Sequence, residues 1–357
     1  MAVRDSLGNN QLAFVVKSDA YGHGIEKVST FVEEENLADY LAVTSLAEGN
    51  LLRESGIELP ILMLTPPIED QIETLISLNI EVTIDNLSLA KKANEIARKE
   101  GEILTVQILV DTGMGRFGVL PDQVVEFFSE LQSLENLQVE GVYTHCSVAD
   151  SEEDDDRKYT EGQIKTFREC LGDLDAKGLL PPKRHIANSA TFESFQDQAL
   201  APPLNMARLG CLIYGCHEGN PAWGEKVTPV MKFQTRIVEI RELPPGKYIS
   251  YERTYKTTRD TKIGVLPVGY CDGLDRRLSN KAEFKIDGKK VPVIGKICSN
   301  HAMVDLTGLE NAKAGDEVTI FGKDPTIKDF AELIGSTLLE IWYSSSKNIS
   351  RVYDYGD

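Results

Sequence analysis

The chain is predicted to be an α/β protein, a (β/α)8 TIM-type barrel over residues 1–224 followed by a mostly β C-terminal domain over 225–357. Three observations predict it. Between residue 12 and about residue 215, eight short β-rich runs alternate with amphipathic helical stretches, and most of the runs are apolar throughout, as strands buried on both faces should be. Beyond about residue 225 the pattern changes to strand-like alternation broken by turn signals. Most glycine-bearing polar segments of the first half follow directly on a predicted strand, where a barrel collects its functional groups.

The eight runs, in order, are Leu12–Val16, Tyr40–Thr44, Pro60–Leu64, Ile80–Ile84, Leu104–Val110, Leu137–Thr144, Arg184–Asn188 and Arg208–Tyr214. Helical periodicity fills most intervals: Ile25–Glu35, Leu46–Ser55, Ile68–Ser77, Leu87–Lys99, Asp122–Leu134 and Thr160–Asp175. The last intervals are weaker. In the second half, the Asp287-Gly288 pair between EFKI and KKVPVIGKI is a two-residue hairpin signal. One helix, Ile327–Ile334, is the exception to its β character, and the domain boundary falls near Pro221–Val227.

A length of 357 residues suits two domains, each large enough for its own core. Apolar residues make up 41% of the chain, yet none of its runs approaches the ~18–20 apolar residues of a membrane span. The N-terminus MAVRDSLGNNQ lacks the apolar centre of a signal peptide, so a cytoplasmic protein is expected. A net charge of −18, from 56 acidic and 38 basic residues, argues against nucleic acid or an anionic membrane as partner. The acidic run at 151–156 reads as a solvated loop rather than a metal site. Six dispersed cysteines with no CxxC pair signal neither a zinc site nor a disulfide framework.

Lys17 ends the apolar run LAFVV. In a barrel mouth its amine would be partly desolvated, which lowers the pKa and suits Schiff-base chemistry. Taken alone, such a lysine is more often one that snorkels to the rim. His145 and His185 taken alone read as satisfied core residues, and Tyr251 as an ordinary sheet aromatic.

A family resemblance changes that balance. VVKSDAYGHG resembles the lysine signature of alanine racemases, fold type III enzymes that use pyridoxal 5'-phosphate (PLP). VDTGMGRFGV, VYTHCSVAD, HIANSAT, RLGCLIYG, ISYERTY, VGYCDG and GDEVTIFG resemble that family's other blocks, in the family's order and across nearly the whole chain. The resemblance implies an amino-acid racemase in which Lys17 carries the cofactor and exchanges the α-proton on one face of the substrate. Tyr251 would serve the other face from the second subunit of a homodimer with shared active sites. Arg208 would hydrogen-bond the pyridine nitrogen, with His145 and His185 supporting it or lining the cofactor. Tyr21, Ser189 and the Gly210-Cys211 segment would bind the phosphate side of the cofactor, Arg116 would reach the substrate, and Tyr270 would guard the entrance. Supply of D-alanine for cell-wall peptidoglycan would follow.

Several positions depart from the family pattern. Leu109 stands where the family often has a carbamylated lysine that holds the arginine at 116, so either something else, a bound anion for instance, orients Arg116 or its role is reduced. Ser299 and Asn300 replace a methionine and an aspartate in the block that closes over substrate, giving a more polar and less negative pocket. They leave serine or a broader range open beside alanine as substrate. Lys347 falls where a phosphate-side residue is expected and could pair with phosphate or point to solvent. Lys17 also comes about twenty residues earlier than usual, which puts the first barrel helix and one strand of the β-domain in doubt.

Three rival readings remain. Gly113–Gly118 satisfies GxGxxG, but Val119–Asp122 intervene before the next helix, so that helix cannot open on a pyrophosphate as a dinucleotide site requires. A decarboxylase of the same fold would need no second base, so the ISYERTY block speaks against it. A PLP-binding relative without turnover would explain the departures at 109, 299 and 300.

Overall fold

In a computed structural model that describes residues 2–217, 219–345 and 349–354, the chain divides into two compact units. One runs up to Ala20 and from Gly24 to Thr228; the other takes Tyr21–His23 and continues from Pro229.

The first unit is a closed barrel of eight parallel strands: β1 (Gln11–Val15), β2 (Tyr40–Val43), β3 (Ile61–Met63), β4 (Ile80–Ile84), β5 (Leu104–Leu109), β6 (Leu137–Tyr143), β7 (Lys183–Ala187) and β8 (Met206–Leu209). Each strand pairs with the next and β8 returns to β1, placing Ala13 beside Arg208. Strands such as β2 and β3 are buried at every position, because barrel interior covers one face and helices the other. A short helix, Ala2–Leu7, precedes β1 and buries Val3 and Leu7. The eight-strand closure is therefore intact with the early Lys17.

The sequence-predicted elements match to within a few residues at most ends, with four differences of physical interest. The eighth strand stops at Leu209, not Tyr214: Gly210 adopts φ −123°, ψ −97°, which is no strand geometry, and Cys211–Tyr214 form a 3-10 turn. The helix expected from Thr160 begins at Asp154, so the acidic run is not wholly a loop. Asp154, Asp155 and Asp156 occupy its first turn, where carboxylates complement the positive end of the helix dipole. The helix expected over Asp122–Leu134 is a 3-10 turn, Pro121–Gln123, followed by a helix over Val124–Leu131. Two short helices unforeseen in the weak last intervals, Ser189–Ser194 and Gln196–Leu200, lie between β7 and β8.

The second unit is mostly antiparallel β. It holds β9 (Phe233–Arg236), β10 (Glu239–Leu243), β11 (Tyr248–Ile249), β12 (Tyr255–Lys256), β13 (Thr261–Leu266), β14 (Glu283–Ile286), β15 (Lys289–Pro292), β16 (Ala302–Asp305) and β17 (Glu317–Phe321). They form sheets ordered β10-β13-β16, β11-β12 and β15-β14-β17-β9. The Asp287-Gly288 hairpin joins β14 to β15 with both turn residues at positive φ, 47° and 75°, as a two-residue type I′ turn requires. The helix Ile327–Ile334 ends on Gly335 in the left-handed conformation. A second helix, Leu338–Ser345, follows it and buries Ile341 and Trp342; the β-rich reading had missed it. Lys347 lies outside the described residues.

Candidate active site

The chain leaves β1 through Val16 and turns sharply at Lys17. Ser18, Asp19 and Ala20 are all left-handed (φ 53°, 58° and 53°), a conformation that costs L-residues roughly 1–2 kcal/mol each. Specific bonds hold it. Ser18 N donates to Glu48 Oε1 (2.5 Å), Ala20 N to Val16 O (2.8 Å), and Asp19 Oδ1 accepts from Ile25 N (2.8 Å) at the start of the next helix. Glu48 itself also closes the capping box of Leu46–Glu54 and accepts from Thr44 N (2.9 Å). Burial lowers the Lys17 pKa, the Arg116 charge lowers it further, and Cys211 and Glu48 oppose both. A lysine with a depressed pKa at the C-terminal end of a barrel strand can act as a nucleophile or proton acceptor.

Arg208, on β8 beside β1, is 3% exposed. Its Nη1 donates to His185 Nδ1 (2.7 Å) and its Nη2 to Thr144 O (2.7 Å), with His145 Nδ1 at 3.5 Å. The guanidinium lies over the Tyr143 ring at 4.7 Å, and that ring stacks on His185 with centroids 4.8 Å apart. Burial brings the Arg208 pKa down to about 10, still fully cationic at neutral pH. Burial first, and the Arg208 charge second, bring His145 down to about 3 and hold His185 well below its usual value. Both histidines therefore stay neutral, and His185 accepts from the arginine. No carboxylate pairs with Arg208 among the described residues, and its Nε donates to none of them. That donor fits a neutral ring nitrogen, which accepts and does not carry a proton.

Ser189 follows β7, with Asn188 as the cap whose Oδ1 accepts from Thr191 N (2.8 Å) and whose Nδ2 reaches His145 Nε2 (3.2 Å). Ser189 Oγ accepts from Gly210 N (3.0 Å) and Leu212 N (3.4 Å), which is why the chain abandons strand geometry at Gly210. Its hydroxyl proton remains to be donated, so Ser189, set at the strand end beside the Gly210 turn, fits an oxygen of a phosphate. Cys211 is buried in that turn. The barrel thus brings together Lys17, His145, His185, Ser189, Arg208, Gly210 and Cys211, with donors suited to a phosphorylated pyridine and an amine suited to its aldehyde.

Arg116 is exposed on the loop after β5, its guanidinium 5.8 Å from the Phe117 ring. Leu109 is buried at the end of β5, and its aliphatic side chain neither donates nor accepts a hydrogen bond. The loop that carries Arg116 is held at its start: Asp111 Oδ1 accepts from the N–H groups of Gly113, Met114 and Gly115 at 2.8–3.0 Å, and Tyr159 OH donates to Gly113 O (2.8 Å).

The remaining candidates lie in the second unit. Tyr251 is 67% exposed, on a turn whose Ser250 Oγ donates to Lys296 O (2.5 Å) and lies 3.4 Å from Cys298 Sγ. Tyr270, also exposed, donates its N–H to Cys298 O (3.0 Å), and Cys271 N donates to Ser299 O (2.9 Å). One loop cluster therefore carries Tyr251, Tyr270, Ser299 and Asn300. Tyr21 groups with this unit as well, its ring 5.8 Å from Tyr343.

Sequence reasoning passed over Glu48, Glu81 and Gln107. Each had a signal: a capping-box glutamate after Ser45, and a carboxylate and an amide inside the largely apolar runs IEVTI and LTVQILV.

Residues 2–218 match the profile of the alanine racemase N-terminal domain and residues 230–353 that of the C-terminal domain. The chain is 37% identical over 351 residues to an alanine racemase of Methanococcus maripaludis, covering 96% of this chain and 92% of that one. It is 36% identical over 359 residues to alanine racemase 1 of Clostridium acetobutylicum, covering 98% and 91%. Among solved structures, alanine racemase from Clostridium difficile 630 superposes with a TM-score of 0.88 at 34% identity, over 95% of this chain and 89% of that one. The enzyme from a D-cycloserine-producing Streptomyces lavendulae superposes with a TM-score of 0.89 at 29% identity, over 99% and 93%.

Proposed function

The chain belongs to the alanine racemase family of isomerases, and from that premise we propose that it interconverts L- and D-alanine, with PLP held in the barrel of one subunit and Tyr251 supplied by a second. The observation that carries the reading is Arg208: a buried cation braced by neutral acceptors, with Nε donating to none of the described residues. Toward a pyridine nitrogen it would donate a hydrogen bond and could not protonate the ring as an acid would, which would limit delocalisation of charge into the ring and discourage transamination.

When bound, PLP supplies an electron-withdrawing system that stabilises negative charge at the substrate α-carbon. Lys17 Nζ takes or returns the α-proton on one face, which its lowered pKa favours by making the amine easier to deprotonate. Racemisation needs a second base on the opposite face, and the Tyr251 hydroxyl is that base. Ser189, the Gly210-Cys211 segment and Tyr21 hold the phosphate; Arg116 receives the substrate carboxylate; Tyr270, Ser299 and Asn300 border the substrate. The names of the relatives favour alanine and lend nothing to serine or to a relative without turnover. A cytoplasmic role in supplying D-alanine for peptidoglycan rests on the family alone.

A spectrum of the purified protein with PLP, followed by α-proton exchange of L-alanine in D₂O with chiral analysis, tests the proposal. A lysine-bound PLP band with exchange and appearance of D-alanine is expected; the band without exchange would overturn it. Lys17→Ala should lose band and turnover together. Tyr251→Phe should keep the band and lose racemisation chiefly in the direction that uses the tyrosine as base, whereas equal losses in both directions would reduce Tyr251 to a positioning role.

A further inference from the structure

A line of hydrogen bonds crosses the barrel interior from Arg208 to β2. Beyond His185, whose Nδ1 meets Arg208, His185 Nε2 lies 2.7 Å from Gln107 Oε1 on β5. Gln107 Nε2 donates to Glu81 Oε2 on β4 (2.7 Å), and Tyr40 OH on β2 donates to Glu81 Oε1 (2.9 Å). His185 and Gln107 are both fully buried.

Starting from Arg208, the direction of each bond as far as Glu81 is forced. A guanidinium only donates, so His185 Nδ1 is unprotonated and the ring proton sits on Nε2. Nε2–H needs an acceptor, so Gln107 presents its oxygen and its NH₂ faces Glu81, which accepts. Were the Gln107 amide reversed, its NH₂ would oppose a ring N–H, and the histidine could relieve the clash only by moving its proton to Nδ1, against Arg208. Glu81 is the group that makes the reversed amide costly, because a carbonyl oxygen would then face its carboxylate oxygen.

The fold makes room for this line on purpose-built backbone. The β5–β6 register shifts between Val106 and Gln107, and Gly141 lies opposite Gln107; a Cβ on Gly141 would sit 2.6 Å from Gln107 Oε1 and 2.8 Å from its Cδ. Glycine is needed there for the close approach of the glutamine side chain.

We propose that Gln107, oriented by Glu81, is a positioning residue that fixes the His185 tautomer and through it the aim of Arg208. The proposal deepens the reading of Arg208 as the group facing the cofactor ring, and rests on that reading for its consequence in catalysis. Gln107 reaches Arg208 only through His185, and Glu81 only through Gln107, so each acts through the next residue, as second partners of functional histidines generally do.

Histidine ¹⁵N NMR of the full chain, with and without PLP, tests it, since only five histidines contribute signals. His185, identified by the signal lost in His185→Asn, should carry its proton on Nε2 with slow exchange. In Glu81→Leu and Gln107→Leu that proton should exchange at least about tenfold faster, while Glu81→Gln, which keeps an acceptor for the Gln107 amide, should restore protection. With PLP, Glu81→Leu should lower kcat for alanine roughly tenfold with KM nearly unchanged, the size of effect an outer hydrogen-bond partner carries. A wild-type proton on Nδ1, unchanged exchange in both leucine variants, or no rescue by Glu81→Gln would overturn the relay. The NMR signals are read whether or not PLP binds, so failure of the relay and failure of the racemase reading separate: the latter shows as a wild-type protein without a lysine-bound PLP band.

Discussion

At the scale of single residues, the barrel keeps histidines neutral in order to hold one cation, and that has a cost in acid. His185 titrates well below the usual histidine value because it is desolvated and faces Arg208. Below about pH 6.5 the unfolded chain takes up a proton at this residue and the folded chain does not, so the unfolded state binds more protons and stability falls with pH. Each pH unit then costs up to about 1.4 kcal/mol for this residue. His145 adds the same sign of effect down to its own value of about 3. Denaturant midpoints measured from pH 7 to pH 4 should fall more steeply for wild type than for His185→Gln; equal slopes would mean that the native histidine titrates normally. The same residue shows what the sequence could disclose. Family blocks pointed to His185 and Arg208, but Gln107 and Glu81 sat inside runs read only for periodicity. Their role depends on which strands become neighbours and on a register shift at Gln107, which no local pattern encodes.

At the scale of elements, the segment after β1 shows how a strand end becomes a site. Residues 18–20 are left-handed without a glycine among them, so the conformation is imposed by partners, Glu48 foremost. The sequence made the strand and the following helix legible, since both have clear periods. The left-handed turn was not legible, because its cause lies some thirty residues away at Glu48. That glutamate also raises the Lys17 pKa against the effects of burial and Arg116. Glu48→Gln keeps a hydrogen-bond acceptor and removes the charge, so the Lys17 amine should become half-reactive at a lower pH than in wild type. Acylation kinetics of the cofactor-free protein, read at Lys17 by mass spectrometry, measure it; an unchanged or higher midpoint would show that the carboxylate is not felt at the amine. The eighth strand teaches the complementary point: RLGCLIY has strand composition throughout, yet Ser189 draws the N–H groups of Gly210 and Leu212 out of line after Leu209.

At the scale of the whole molecule, the residues proposed for the chemistry are divided between two compact units. The barrel carries Lys17 and Arg208, and the β unit carries Tyr251 on an exposed turn. The division into a barrel and a β unit was legible from the change of period near residue 225, whereas the assignment of Tyr21–His23 to the second unit follows from packing alone. If each site draws its lysine from one subunit and its tyrosine from the other, two inactive variants should repair one another. A hybrid of Lys17→Ala and Tyr251→Phe chains would pair the intact lysine of the second with the intact tyrosine of the first, giving one complete site and one lacking both. Mixed in equal amounts and allowed to exchange subunits at random, roughly half the dimers are hybrids with one good site in two, so activity should return to about a quarter of wild type. Dilution below the dimer dissociation constant should remove it again, because a monomer has no second base. Chains that use their own tyrosine would show no recovery at any mixing ratio, and the wild-type specific activity would then be independent of concentration.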